Sequence, residues 1–138
     1  MTHPFRRQLL RFTLIGSVGF AIDGGVLTLL SVWLGINVYV SRLFSFLLAT
    51  LATWWLNRRH TFGVDASFDR QTRGAEYMRY LFIQVGGGLI NLAVFAWLIY
   101  AEPRLLAFPI LPLAFGSGVA LLWNFFGARW FVYQHREY

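Results

Sequence analysis

Four long apolar runs alternate with short polar or basic segments along the chain. The runs cover residues 12–34, 38–56, 80–101 and 105–126. Each is close to the roughly 20 residues that a helix needs to cross the hydrocarbon of a bilayer. Backbone groups in lipid must be hydrogen-bonded internally, and the alternation of a β-barrel is absent. The pattern therefore predicts an all-α membrane protein with four transmembrane helices.

The composition agrees with a bilayer environment. Of 138 residues, 57% are hydrophobic and 13% are charged, against about 25% charged residues in a typical soluble domain. The chain has no cysteine, which excludes disulfides and thiol chemistry. The net charge of +6 could indicate nucleic-acid binding, but the basic residues flank apolar runs and do not line one soluble face. We expect no nucleic-acid partner.

The arginines predict the topology. All twelve basic residues are arginine, and ten of them precede the first run, separate the second run from the third, or follow the fourth. Only Arg42 and Arg104 belong to the opposite side. The positive-inside rule then places both termini and the loop 63–78 in the cytoplasm, N-in and C-in. The second part of that loop is predicted either as a short interfacial helix or as a solvated linker. The first run is too long for a signal peptide and lacks a small-residue cleavage site, so we expect an uncleaved span.

Two parts of the chain resemble each other. The segment "RFTLIGSVGFAID" aligns with "RYLFIQVGGGLIN" at an offset of 68, and "WWLNRRHTF" aligns with "FFGARWFVY" at an offset of 71. We predict one membrane domain, 1–138, built from two helical-hairpin repeats at about 9–62 and 79–134. Each repeat has an even number of spans, so the repeats are expected to enter the membrane in the same direction, as a parallel repeat.

Polar residues inside the runs are candidate substrate contacts. A charge at the bilayer centre costs roughly 2.5–3.5 kcal/mol on insertion scales, so Asp23 should face protein or water. Asn91 aligns with Asp23, and Gln84 lies on the same helical face as Asn91. The alternative role for Asp23 and Asn91 is an interhelical hydrogen bond.

The second helix of each repeat carries a polar or small stripe that ends at an arginine. We predict substrate contacts on these two stripes at Arg42, Thr53, Asn57, Arg58, Asn124 and Arg129. A guanidinium can grip phosphate with two hydrogen bonds. Three alternatives remain open: ordinary helix packing for the stripes, snorkelling to the surface for Arg42, and a purely topological or head-group role for the terminal arginines. No nucleotide loop, metal-ligand cluster or nucleophile motif is visible, so no enzyme activity, cofactor or metal is expected.

These features resemble the GtrA family of small four-span membrane proteins. In that family the second helix of each half ends in a pattern like N-F-x-x-N-R-x-x-T/V-F. The first half here has Thr53 in place of the first Asn, and the second half has Ala128 in place of the second Asn. The resemblance implies translocation of polyprenyl-phosphate-linked monosaccharides across the cytoplasmic (inner) membrane, as a flippase for cell-surface polysaccharide biosynthesis.

Two other functions are compatible with parts of the pattern. One is a small proton-coupled multidrug exporter, which also has four spans and an acid in the first. The other is a non-transporting assembly subunit of a membrane glycosyltransferase. The partners expected are the polyprenyl-phosphate-linked sugar, membrane lipids and a membrane glycosyltransferase. A homodimer is a further hypothesis, because four short helices enclose little space.

The topology can be checked by labelling single introduced cysteines in intact cells. A cysteine introduced near Gly35 should react with a membrane-impermeant thiol reagent added outside, because the positive-inside rule places this turn outside. Cysteine in place of Thr72 should be protected until the cells are opened. The opposite labelling pattern would reverse the predicted orientation.

Overall fold

The computed structural model describes residues 2–64, 70–107 and 110–133. Its four α-helices are α1 (Thr2–Thr28), α2 (Val38–Leu56), α3 (Arg70–Ala101) and α4 (Ile110–Gly127). Four helical segments are long and apolar enough to cross a membrane: Pro4–Trp33, Tyr39–Thr61, Thr72–Ala101 and Leu111–Val132. The all-α membrane fold with four spans is therefore confirmed. Residues 65–69 of the predicted loop, Pro109 of the fourth run and Arg136 lie outside the described residues.

The chain divides into two compact units, Met1–Arg70 and Gln71–Tyr138. In the first unit, α1 and α2 pack side by side as an antiparallel pair, called here the first hairpin. In the second unit, contacts between α3 and α4 define the second hairpin in the same way. The parallel orientation of the two repeats stays a prediction.

Two helices begin earlier than the apolar runs indicate. α1 starts at Thr2 rather than near residue 12, and α3 starts at Arg70 rather than near residue 80. Residues 70–78 are therefore the first turns of α3, not a separate interfacial helix or a linker. The reason is that hydropathy marks the part of a helix that contacts lipid, whereas helical hydrogen bonding continues through polar residues beyond it.

The fourth helix begins later than its apolar run. Pro103–Ala107 form a 3₁₀ helix, and α4 starts at Ile110. Pro112 lies in the first turn of α4, where its missing N–H is not needed for an intrahelical hydrogen bond. The run 105–126 thus combines a short 3₁₀ connection with one transmembrane helix.

α2 and α4 end in the same local structure. A π-helical turn follows each helix, Asn57–Thr61 in the first hairpin and Ala128–Val132 in the second. Each turn is closed by a backbone bond of 3.0 Å, from Phe62 N–H to the Asn57 carbonyl and from Tyr133 N–H to the Ala128 carbonyl. π-Helical turns are rare and occur frequently at functional sites. The turns fall on the two segments aligned at the offset of 71.

A tight connection joins α1 to α2. α1 continues through a third π-helical turn, Leu29–Trp33, and Gly35 has φ 67, a left-handed conformation that glycine adopts without steric cost. Asn37 then caps α2, because its side-chain oxygen accepts hydrogen bonds from Tyr39 N–H at 2.9 Å and from Val40 N–H at 3.3 Å. The loop thereby provides hydrogen-bond partners for backbone groups that lipid could not satisfy.

Small and polar side chains form the buried face of α2. They recur every four residues and are, in order, Ser41, Ser45, Ala49, Thr53 and Asn57. We call this face the α2 seam. The helices approach closely where Gly19 of α1 meets Thr53, since a Cβ at Gly19 would overlap the Thr53 methyl group. Small residues at a helix interface allow this close approach. The resulting van der Waals contacts stabilise the helix pair, because the hydrophobic effect does not drive helices together in lipid.

The second hairpin repeats this packing at the aligned positions. A Cβ at Gly87 would overlap the Asn124 amide, and one at Gly116 would lie 2.6 Å from Asn91 Oδ1. Gly87 aligns with Gly19, and Asn124 aligns with Thr53. The buried face of α4, the α4 seam, comprises Pro112, Gly116, Ala120, the partly buried Asn124, and Ala128.

Alanine substitution at two neighbouring glycines should separate close packing from helix propensity. Gly87→Ala should lower the free energy of unfolding by about 1–3 kcal/mol, the usual range for overpacking, because the new methyl group displaces Asn124. Gly88→Ala should be neutral or stabilising, because nothing lies within 4 Å of its added Cβ and alanine favours helix. Unfolding of both variants in mild detergent measures the difference, and equal stabilities would contradict the packing described.

Candidate polar site within the hairpins

An ion pair joins α1 to α2. The Arg42 guanidinium donates to Asp23 Oδ2, and the Ser45 hydroxyl donates to Asp23 Oδ1 at 2.6 Å. The Asp23 side chain is 17% exposed and that of Arg42 is 55% exposed. Both carboxylate oxygens therefore have a donor on α2, and the guanidinium turns toward α1 rather than simply extending to the surface.

The aligned position in the second hairpin has an uncharged side chain. Asn91 aligns with Asp23, and its Nδ2 donates to the Ser117 hydroxyl at 3.1 Å. Leu113 and Gly116 occupy the positions of Arg42 and Ser45. The two hairpins thus share a scaffold, but the first has an ion pair where the second has an amide–hydroxyl hydrogen bond.

A second amide contact lies nearer the other end of the second hairpin. Asn124 Nδ2 donates to Gln84 Oε1 at 3.1 Å. Asn124 Oδ1 is buried, and no donor reaches it within the described residues. An amide oxygen without a donor inside a membrane hairpin is a candidate acceptor for a ligand hydroxyl.

In the first hairpin, Thr53 occupies the position of Asn124 but presents no such acceptor. Its hydroxyl donates back to the backbone carbonyls of Ala49 and Thr50, at 2.9 and 3.1 Å. Its methyl group is the part that meets Gly19. Thr53 therefore acts as a packing residue in the described contacts.

The end of each hairpin at which α2 or α4 finishes is called here the arginine end. In the first hairpin, Asn57 is 1% exposed and accepts a hydrogen bond of 2.8 Å from the Thr61 hydroxyl. Arg58 is 3% exposed, and its Nη1 lies 3.5 Å from the Val64 carbonyl oxygen. Both side chains are thus packed inside the protein, and a ligand reaches Arg58 only if its neighbours move.

The arginine end of the second hairpin is more open. Arg129 lies in the π-helical turn and is half-buried, and Arg79 of α3 is half-buried as well. Arg129 aligns with Arg58. An anion approaching the second hairpin would therefore meet a more accessible guanidinium than in the first.

The structure joins six of the nine predicted residues to polar side chains, in the following pairs. Asp23 joins Arg42, Gln84 joins Asn124, Asn91 joins Ser117, and Asn57 joins Thr61 within its own turn. Sequence reasoning missed Ser117 and the buried Glu76, which is 2% exposed. Ser117 lies outside the four-residue spacing of the α4 seam, so no periodicity identified it. Glu76 lies in a polar segment, and no hydropathy pattern in the sequence there indicates that a side chain is buried.

Comparison with known proteins adds one match. Residues 11–133 match the family model described as "GtrA/DPMS, transmembrane domain". The match includes all nine predicted site residues and both seams. No curated protein matches the chain.

The charge compensation between Asp23 and Arg42 can be tested with a double-mutant cycle. Asp23→Asn should destabilise the protein by about 1.5–3 kcal/mol, the value of a hydrogen bond to a charged group, because Arg42 loses its counter-ion. Combining it with Arg42→Leu should cost less than the two single changes together, because Asn and Leu reproduce the second hairpin's Asn91 and Leu113. Unfolding in mild detergent provides the free energies. Strict additivity would show that the pair has no coupling.

Proposed function

Because the chain belongs to the GtrA/DPMS transmembrane-domain family, we propose that it translocates polyprenyl-phosphate-linked monosaccharides across the cytoplasmic membrane. The sugars would supply glycosyltransferases that decorate cell-surface polysaccharide. The family as a whole points to a membrane role related to polyprenyl-phosphate sugars, and its members are generally small and non-catalytic. The proposed role is likewise non-enzymatic.

One structural observation carries this proposal. In each hairpin a seam of small and polar side chains runs along the apolar helix pair and ends beside an arginine, Arg58 or Arg129. A lipid-linked sugar has the complementary chemistry: a phosphate for a guanidinium, hydroxyls for amides and carboxylates, and an apolar chain that stays in the bilayer. Polar groups along the seam would lower the cost of moving the sugar through hydrocarbon.

Each polar contact has a distinct task in this proposal. Asn124 Oδ1 accepts a sugar hydroxyl, since the described structure provides it with no donor. At the other end of the seams, the phosphate competes with Asp23 for Arg42, whose side chain is about half exposed. The released carboxylate of Asp23 then accepts sugar hydroxyls.

The ion pair also bears on the proton-coupled exporter. Asp23 is paired with Arg42 and Ser45 on the neighbouring helix, and in the proposal its carboxylate contacts the substrate. Reconstitution of the purified protein alone into liposomes, with a labelled polyprenyl-phosphoryl sugar, distinguishes translocation from the role of an assembly subunit. Transfer between leaflets supports the proposal, and its absence with correctly folded protein overturns it.

Replacement of the terminal arginines by lysine should weaken phosphate binding. Lysine preserves the charge but loses the bidentate fork. A charge-assisted hydrogen bond contributes about 1.5–3 kcal/mol, so Arg129→Lys should weaken binding of a polyprenyl-phosphoryl sugar by roughly ten- to a hundredfold. Arg58→Lys should have an effect in the same direction. Binding to purified protein in detergent measures both.

Two controls make that result specific. Arg7→Lys changes an exposed arginine near the start of α1 and should bind like the parent. A neutral polyprenol should bind all proteins equally, because it has no phosphate. If Arg58→Lys and Arg129→Lys also bind the phosphoryl sugar like the parent, these arginines have only a topological role.

A further inference from the structure

Residues 62–64 follow the π-helical turn of the first hairpin and fold back over Arg58. We call these three residues the strap. The Val64 N–H donates to the Arg58 carbonyl at 2.9 Å, and Arg58 Nη1 lies 3.5 Å from the Val64 carbonyl oxygen. Gly63 has φ 63, the left-handed conformation with which a chain commonly turns back at the end of a helix. The Val64 backbone therefore contacts both the backbone and the side chain of Arg58.

The strap is packed against α1 by an aromatic contact. The rings of Phe12 and Phe62 meet edge to face, with centroids 6.4 Å apart, an arrangement that stabilises aromatic pairs. Phe12 is 3% exposed and Val64 is 8% exposed, so both ends of the strap are held by buried side chains. This packing places the strap where it covers Arg58.

A hydrogen bond from α1 closes the same end of the hairpin. Arg11 Nη1 donates to the His60 carbonyl at 2.8 Å. The last carbonyls of a helix have no partner within the helix, and a cation near them is favourable. Arg11 and His60 are both exposed, so water competes for this hydrogen bond and it breaks more easily than a buried one.

The aligned arginines of the second hairpin differ in both respects. Arg79 aligns with Arg11, and it makes no hydrogen bond or ion pair within the described residues. Arg129 aligns with Arg58 and is half-buried, whereas Arg58 is 3% exposed. The covered arginine thus occurs in the hairpin in which α1 is bonded to the π-helical turn.

We propose that the strap is a lid over Arg58 and that Arg11 is the latch that holds this lid closed. In the closed state, the Arg58 guanidinium is packed inside the protein. When Arg11 releases the His60 carbonyl, the strap moves away from α1, and the guanidinium becomes accessible at the arginine end. This inference goes beyond the proposed function, because it assigns an opening step to the first hairpin whatever ligand the protein binds.

The test measures how fast each arginine is modified by phenylglyoxal, a reagent specific for guanidinium groups. The purified protein is treated in mild detergent, and peptide mass spectrometry gives the rate at every arginine. In the parent, Arg58 should react more slowly than Arg129. Arg11→Met removes the hydrogen-bond donor but keeps a long side chain, so it should speed modification of Arg58 by roughly three- to tenfold, the effect of one lost hydrogen bond on a local opening equilibrium.

Two further variants make the result specific. Gly63→Ala should also speed modification of Arg58, because a side chain is strained at φ 63 and the folded strap is thereby weakened. Arg7→Met is the matched control. Arg7 is an exposed arginine of the same helix and makes no hydrogen bond or ion pair in the part of the chain that the structure describes. This variant loses the same charge but should leave the rate at Arg58 like that of the parent.

Other outcomes would overturn the proposal. If Arg58 reacts as fast as Arg129 in the folded parent, the strap does not cover it. An unchanged rate at Arg58 in Arg11→Met would show that Arg11 is not a latch, and an unchanged rate in Gly63→Ala would show that the strap is not the lid. An equal rise at Arg129 in Arg11→Met would indicate general loosening of the protein instead of local opening. None of these results affects the proposed function, because no ligand is present in the experiment.

Discussion

Lipid hydrocarbon provides no hydrogen-bond partner, so every polar side chain between two membrane helices must find one within the protein. Close helix approach at Gly19 and Gly87 makes this possible here, because it brings short side chains within hydrogen-bonding reach across each hairpin. Asp23 reaches Ser45 and Arg42 on the neighbouring helix, and Gln84 reaches Asn124. Without the glycines, the helices would separate and these polar groups would face lipid.

The two hairpins have the same helix packing but different polar side chains. The first hairpin has a charged pair and a deeply buried Arg58, whereas the second has neutral amides and a more accessible Arg129. A duplicated hairpin whose copies were equivalent would have two similar ligand sites. These differences give the two hairpins distinct polar sites, a charged one in the first and a neutral one in the second.

Hydropathy was sufficient to predict the number of helices, because crossing hydrocarbon requires a long apolar run. It also placed both ends of α2, since Asn37 caps the helix and Asn57 follows its last apolar residue. The starts of α1 and α3 were missed because helices continue into polar sequence. The pairing of Asp23 with Arg42 could not be predicted either, since it depends on the register that the turn at Gly35 imposes. The bond from Trp123 to a backbone carbonyl likewise has no signature in sequence spacing.

The three consecutive glycines of α3 also affect its mechanics. Gly86 is covered by Trp123 and Gly87 by Asn124, whereas nothing lies within 4 Å of a Cβ built at Gly88. Bending a helix is easiest where side chains do not crowd the neighbouring turns, and glycines are frequent at kinks. The three glycines are therefore the part of α3 with the least side-chain hindrance to bending, and they lie between Arg79 and Asn91. In the first hairpin, Val18 and Phe20 flank Gly19, so the corresponding part of α1 has larger side chains around its glycine.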